Sequence, residues 1–325
     1  MAQITYKHMI PLDQAVDLVA VERPSKLISL EEAGKILATK KVFGIAGTHS
    51  VMSAMALIRA AIKHGAKDIT LVPPTSASMA ADVWIAAGRL KKIYVSYIGI
   101  EGVGFAPAFR KAVQDGSIEV VESDEPFINL GTQAAAGGRP FSVLEYVWEG
   151  SSIPKLNPEI KTVVDPFTGR TVYAIPPLKT DVCILHASIA DIYGNIQVWG
   201  GNRQEPDKAK AADMVIVQAD EIVDTSEFRR DPWKTYIIPE LVTYVVHTPF
   251  GAHPAFSPRR YAMDTDHLRM YVQMVRDGRT QEYLDRYVFG PKDHMEYLEL
   301  VGVKRLVELQ NMLSLQKRQE PESAD

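Results

Sequence analysis

Among its 325 residues the chain has one cysteine, so it can form no internal disulfide, and this fits a reducing compartment. It has no stretch of 18 or more apolar residues; runs such as Val42–Ala46 and Met214–Val217 are strand-sized, which excludes a hydrophobic spanning helix. It has no basic surplus, since 36 Lys plus Arg stand against 40 Asp plus Glu for a net charge of −4, and this argues against gripping nucleic acid or an anionic membrane. The first residues, MAQITYKHMIPLDQAVDL, hold Asp13 and Asp17 in place of an apolar core and do not read as a secretory signal. The expectation is a cytoplasmic globular protein. With 46% hydrophobic and 23% charged residues, the composition also excludes disorder and fibrous repeats.

Several catalytic signatures are missing too. There is no G-x-x-x-x-G-K-[ST], no G-x-S-x-G, no H-E-x-x-H and no C-x-x-C. Gly102-Val103-Gly104 lacks the third glycine of a dinucleotide fingerprint and reads as a loop entering a helix. His247 and His253 fit no common zinc spacing, so no metal site is expected. Cys183, inside an apolar strand, reads as a small buried filler.

What is present is alternation. Val42–Ala46, Asp68–Val72, Lys92–Gly99, Ile118–Glu122 and Phe141–Leu144 have the apolar, β-branched character of buried strands. Between them lie helical patterns at Val51–His64, Met79–Leu90, Ala106–Asp115 and Pro126–Ala136. This predicts an α/β fold with an open, mostly parallel sheet and helices on both faces. The second half adds an antiparallel elaboration: Thr162–Asp165 and Thr171–Ile175 flank a turn at Pro166–Gly169. Val182–His186, Ile196–Trp199, Met214–Val217 and Leu241–His247 are further strands, Lys208–Ala212 is a short helix, and Asp264–Lys317 is a helical C-terminus. The predicted division is an N-terminal extension at 1–40, one α/β domain at 41–317 and a charged tail at 318–325.

Candidate site residues lie where open parallel sheets bind ligands, at the carboxyl ends of strands. Gly47, Thr48, His49 and Ser50 form a glycine turn entering a helix whose N–H groups suit an anion, or else an ordinary turn capped by Ser50. Thr75 and Ser76 end the next strand as pocket-lining groups, or as turn and cap residues. Gly200 and Gly201 admit close backbone approach, and His253 sits in the constrained loop Thr248–Pro254. Glu101 is a loop carboxylate. Glu122, Asp124 and Glu125 crowd a helix start, where they complement the dipole or form an acid raised by like-charge repulsion.

These loops carry a resemblance. Residues from about Val42 to Leu309 resemble the α subunits of the family I coenzyme A transferases, above all those of the glutaconate type. The blocks are Gln133-Ala-Ala-Ala-Gly-Gly-Arg-Pro-Phe141, Val164-Asp-Pro-Phe167, Asp181-Val-Cys-Ile-Leu-His-Ala187, Val198-Trp-Gly-Gly201, Glu221-Ile-Val223, Arg229-Arg-Asp-Pro232, Phe250-Gly-Ala-His-Pro254 and Val288-Phe-Gly-Pro-Lys-Asp-His294. The resemblance implies an active site shared with a β-type partner subunit, in a heterotetramer or larger assembly. It implies a CoA thioester as substrate rather than a permanently bound cofactor, and a partner glutamate that takes the acyl-CoA through an anhydride to an enzyme thioester. No Glu-Asn-Gly occurs here, as suits an α chain.

Two departures open alternatives. The first glycine loop reads Ala46-Gly47-Thr48-His49-Ser50 and lacks the basic pair and proline usual in the family. Asp124-Glu125, followed by Gln133–Ala136, is similar to the α subunit of a related actinobacterial hydrolase that opens a steroid-derived ring on a CoA thioester. There the glutamate matching Glu125 is catalytic. A non-catalytic ligand-binding protein on the same scaffold is the third reading; the absence of a helix-turn-helix and of a basic patch counts against it.

Overall fold

In the computed structural model, residues 23–145, 147–200 and 204–317 are described. Eight strands form the main sheet: β1 Leu27–Ile28, β2 Val42–Ile45, β3 Ile69–Val72, β4 Leu90–Val95, β5 Glu119–Glu122, β6 Val182–Ala187, β7 Val215–Ala219 and β8 Tyr244–His247. Their order is β1-β8-β7-β6-β2-β3-β4-β5, and every pairing is parallel. From β2 the chain first builds outward through β3, β4 and β5, then returns to the other side of β2 and builds outward again. The strand order therefore reverses between β2 and β6, and a crevice forms at such a switch point.

The central strands are apolar at every position because both faces are covered. In β6, Val182 and Ile184 pack with the helices Leu30–Ala38 and Met55–Lys63, whereas Cys183 and Leu185 face the opposite cluster with Val215, Val217 and Ile237. Helix Met55–Lys63 is buried from Met55 to Ile62, with Arg59 among the buried residues. Trp84, on helix Met79–Ala86, meets Phe43 of β2 edge-on at 5.2 Å between ring centroids.

Three parts of the sequence reading change. Ser142–Leu144 is no parallel strand; it joins Lys161–Val164 and Thr171–Ile175 in a separate antiparallel sheet. The run read as one strand at Lys92–Gly99 divides at Ser96: β4 stays in the main sheet, while Tyr97–Ile100 pairs with Ser76–Ala77 and Gly104–Phe105. Residues 27–38, assigned to an extension, supply an edge strand and a packed helix. Leu27 and Ile28 pair with Val245 and Val246, and Ala33 and Leu37 are fully buried. The charged tail at 318–325 lies outside the described residues, as does 1–22 of the extension.

The C-terminus is helical as expected, in segments Thr265–Arg276, Thr280–Leu284, His294–Val301 and Val303–Lys317. Asp264 and Asp293 begin two of them by accepting backbone N–H bonds from His267 and Glu296. No helix among the described residues is long and apolar enough to cross a membrane.

Candidate functional site

The glycine turn after β2 is a built loop. Gly47 has φ 89°, and a Cβ there would lie 2.5 Å from the carbonyl oxygen of Val51, so only glycine fits. Thr48 and Val51 exchange backbone hydrogen bonds of 3.1 and 2.8 Å, and His49 is left with φ 51°. A histidine in the left-handed region is costly, and here it is held by its surroundings: the His49 N–H donates to the Ser76 carbonyl at 2.7 Å. The Ser50 carbonyl accepts from Phe256 N–H at 2.7 Å, and the Ser50 and Ser78 hydroxyls meet at 2.6 Å.

The helix beyond starts at Met55, with Ala54 as an N-cap that makes no side-chain bond. Ser50 is thus not its cap. Nor are the helix N–H groups free for an anion: Ala56 N–H donates to Gly251 O at 2.9 Å and Leu57 N–H to Gln218 Oε1 at 3.0 Å. What the loop does present is His49. Its Nδ1 lies 2.9 Å from Oε1 of Glu101, at the tip of the hairpin Tyr97–Phe105, with both side chains partly exposed. His49, Ser50, Ser76 and Glu101 are therefore brought together. Thr75 is buried beside them and accepts from Gln204 Nε2 at 3.4 Å; Gln204 also bonds Asn129.

Asn129 leads back to Glu125, one turn earlier on helix Glu125–Ala136. Glu125 opens that helix at the carboxyl end of β5 and is exposed. Its neighbour Asp124 is the N-cap, accepting from Phe127 N–H at 2.9 Å and from the Trp148 indole. Asp124 is consumed by structure; Glu125 is left facing outward, three strands from the glycine loop.

Gly200, with φ 89°, presses against Pro258, where a Cβ would come within 2.8 Å of the ring. It borders an open groove of about 700 Å³ with Trp199, Trp233 and Arg259. Gly201 lies outside the described residues. His253 does not belong with the others. It is fully buried, its Nδ1 bonded to Tyr297 Oη at 2.7 Å and its Nε2 to Asp264 Oδ2 at 3.1 Å. Burial pushes its pKa down, and its constrained loop serves the C-terminal helices.

Sequence reading missed two buried ions beneath the glycine loop. Glu205 and Lys208 are only 2% and 3% exposed. Burial pushes the Glu205 acid up to about 7, which the Gly47 amide only partly counters, and pushes the Lys208 amine down to about 8. Lys208 donates to the Pro73 carbonyl at 2.9 Å. Their three-residue spacing on one helix was the only available signal, and it reads equally as a solvated face.

Two buried side chains with nucleophilic potential, Cys183 and Ser257, are disarmed. The Cys183 thiol is buried and pushed up to about 12. His186, Asp220 and Ser257 have the composition of a hydrolytic triad, and His186 Nε2 lies 3.0 Å from Asp220 Oδ2 and 3.2 Å from Ser257 Oγ. But Ser257 Oγ donates to Asp220 Oδ2 at 2.7 Å, and Gln218 Nε2 donates to His186 Nδ1, which leaves the ring proton on Nε2, where it cannot take the serine's. Gln218 holds the far ring nitrogen of His186 at 2.9 Å, and all three triad-like residues are buried. The serine gives its proton to a bond with the carboxylate, the opposite of activation.

Residues 28–248 match the family model described as Coenzyme A transferase. The chain is 34% identical to the A subunit of the 3-oxoadipate CoA-transferase of Pseudomonas knackmussii, over 73% of this chain and 84% of that protein. The crystal structure of glutaconate coenzyme A-transferase from Acidaminococcus fermentans superposes with a TM-score of 0.81 at 30% identity, covering 88% of this chain and 95% of that one. The cholesterol ring-cleaving hydrolase IpdA subunit of Rhodococcus jostii is 28% identical over 89% of this chain and 99% of its own length.

Proposed function

The chain belongs to the coenzyme A transferase family, and from that premise we propose that it is the α-type subunit of an enzyme moving CoA between carboxylic acids, with the nucleophilic glutamate on a β-type partner. The observation that carries this reading is a polar, loop-built cleft edge at the carboxyl end of the central strands. His49, Ser76 and Glu101 gather at the carboxyl edge beside the β2–β6 switch point. Among the described residues, the buried thiol and serine near the sheet are both unreactive. Relatives that are themselves named as one lettered subunit of a CoA-transferase support a second chain.

In this reading the partner carboxylate attacks the thioester carbonyl, the C–S bond breaks, and an anhydride and CoA thiolate form. The thiolate then attacks the glutamyl carbonyl of the anhydride, releasing the first acid as its carboxylate and leaving a glutamyl-CoA thioester. An incoming acid reverses these steps. This chain's residues bind and orient the acyl group and exclude water, which would hydrolyse the intermediates.

A second reading is favoured by one observation: Glu125 stands exposed at the carboxyl end of β5, and the ring-cleaving hydrolase chain matches along nearly its whole length. There Glu125 serves as the acid–base group of a CoA-thioester hydrolase.

Purified complex incubated with acyl-CoA and then borohydride or hydroxylamine separates the two. Transfer predicts a modified glutamate on the partner and a Glu125→Gln variant within about three-fold of wild-type kcat, since uninvolved surface positions are tolerant. No adduct, together with loss of turnover in Glu125→Gln, overturns the transferase reading. This chain alone is expected to be inactive.

A further inference from the structure

The triad-like side chains belong to one continuous chain of buried hydrogen bonds, and its two ends flank the glycine loop. At one end, the helix that follows the loop gives its Leu57 N–H to Gln218 Oε1 at 3.0 Å, and Gln218 Nε2 reaches His186 Nδ1 at 2.9 Å. His186 Nε2 lies 3.0 Å from Asp220 Oδ2. At the other end, the Asp220 carboxylate accepts the Ser257 hydroxyl at 2.7 Å, the Tyr261 hydroxyl at 3.1 Å and the Gly251 N–H at 3.2 Å. The Gln218, His186, Asp220, Ser257 and Tyr261 side chains are all buried. A buried carboxylate with four donors around it is fully satisfied in one geometry, and any shift of a donor strands a polar group.

Asp220 thus fixes the segment 251–261, and that segment grips the loop. The Phe256 N–H donates to the Ser50 carbonyl at 2.7 Å, and the Phe256 carbonyl accepts the Met52 N–H at 2.9 Å. The Gly251 carbonyl accepts the Ala56 N–H at 2.9 Å. The backbone is strained on both sides of this contact. Among the described residues, five that are not glycine have left-handed backbone. Two of them, His49 and Met52, with φ 51° and 54°, are in the loop, and Phe250 and Arg259, with φ 54° and 64°, are in the facing segment. Such conformations persist only where surrounding contacts over-determine them, and they gather at functional sites. The Ser76 carbonyl holds His49 from one side; the Asp220 cluster holds the loop from the other.

We propose that Asp220 is a positioning residue, which acts through Phe256 and Gly251 to set where the glycine loop presents His49 to the acyl group. The acyl group enters this statement through the transferase reading; the hold on the loop does not depend on it. Ser257 is one donor among four, so loss of its hydroxyl alone leaves the hub in place.

The test is hydrogen exchange of the full chain, followed by mass spectrometry, in Asp220→Asn. That change keeps the side chain's size and sets an amide donor where donors already converge. Over seconds to minutes, the bonded amides of His49 and Met52 should exchange at least ten-fold faster than in wild type, while those of Ile93 and Tyr94 in β4 stay protected in both proteins. Tyr261→Phe, which removes one donor, decides in the same way if Asp220→Asn does not fold. With the partner chain present, and acetyl-CoA or succinyl-CoA as donor, Asp220→Asn should raise KM about ten-fold, which a smaller folded fraction cannot do. Glycine takes the backbone of His49 without strain, so His49→Gly completes the cycle: adding Asp220→Asn to it should cost less than a further two-fold, because both act through one imidazole. Loop amides as protected as in wild type, or fully additive losses in the double variant, overturn the proposal. A wild-type complex that turns over neither donor counts against the transferase reading, and the exchange result then decides on Asp220 alone.

Discussion

Oε1 of Glu101 lies 2.9 Å from Nδ1 of His49, and this contact joins the tip of the Tyr97–Phe105 hairpin to the left-handed residue of the glycine loop. Both side chains are partly exposed, His49 at 36% and Glu101 at 47%. Exposed ion pairs add about 0–1 kcal/mol to stability. The contact is therefore better placed to aim the imidazole than to hold the fold, since the backbone bond from His49 to Ser76 already fixes the loop.

Replacing Glu101 by Gln should therefore leave the unfolding free energy within about 1 kcal/mol of wild type. With the partner chain present, it should lower kcat/KM by about ten-fold, the equivalent of about 1.4 kcal/mol in the transition state. Urea titration and steady-state kinetics on the same preparation give both numbers. A loss of stability without a kinetic change would assign the pair to structure.

The alternation of β-branched runs with helical stretches was legible because central parallel strands are apolar on both faces, as Val182–Leu185 are. Local pattern says nothing of which strand is the neighbour, so Ser142–Leu144 read as one more parallel strand although Ala174 and Tyr173 pair with it antiparallel. The helix start at Met55 was hidden for the same reason. Residues 51–54 are apolar enough to continue the helical pattern, yet the Val51 N–H donates to Thr48 and the Met52 N–H to Phe256, distant in sequence, and these bonds hold them as a loop. His49 and Glu101 were found because each follows a strand, a rule that reaches across the sheet. Glu205 and Lys208 were not, because a charged side chain in a short helix reads as surface until tertiary packing covers it.

The buried cluster around His186 gives a sharp negative prediction. Ser257→Ala should leave turnover by the assembled enzyme within about two-fold of wild type, because its hydroxyl donates to Asp220 rather than to the imidazole. It should cost about 1–3 kcal/mol of stability, the loss of the buried bond to the Asp220 carboxylate and of the 3.2 Å contact with His186. A roughly thousand-fold fall in turnover, of the order expected when a serine nucleophile is lost, would show that the triad-like trio is catalytic after all.

Asp82 ties three helices together. It is fully buried on Met79–Ala86, accepts the Phe109 and Ala108 N–H groups at 2.7 and 3.3 Å, and accepts the Tyr271 hydroxyl at 2.7 Å. Asp82→Ala would strand all three donors, so it should cost about 3 kcal/mol or more, measured by urea unfolding. Tyr271→Phe removes one donor and leaves the carboxylate its two amides, so about 1 kcal/mol is expected. Equal costs for the two variants would mean that the phenol, not the helix N-terminus, is what Asp82 serves.

Glu205 and Lys208 make stability depend on pH in opposite directions. Burial raises the Glu205 acid from 4.5 to about 7, so between those values the folded chain holds a proton that the unfolded chain has lost. Stability therefore falls as pH rises through that window. Burial lowers the Lys208 amine from 10.5 to about 8, so above pH 8 the unfolded chain holds the extra proton, and stability climbs again toward 10.5. Their joint contribution is least favourable between pH 7 and 8, where the desolvation penalty of each is close to full. At about 1.4 kcal/mol per unit, the Glu205 penalty is at most about 3 kcal/mol, and attraction between the two ions reduces it. Glu205→Gln keeps the shape and is neutral throughout. It should match wild type near pH 5 and exceed it by about 1–3 kcal/mol at pH 8, measured by urea unfolding at both values. If the variant is instead destabilised by the same amount at both pH values, Glu205 is held there as a charge with a partner, and the buried-acid account is wrong.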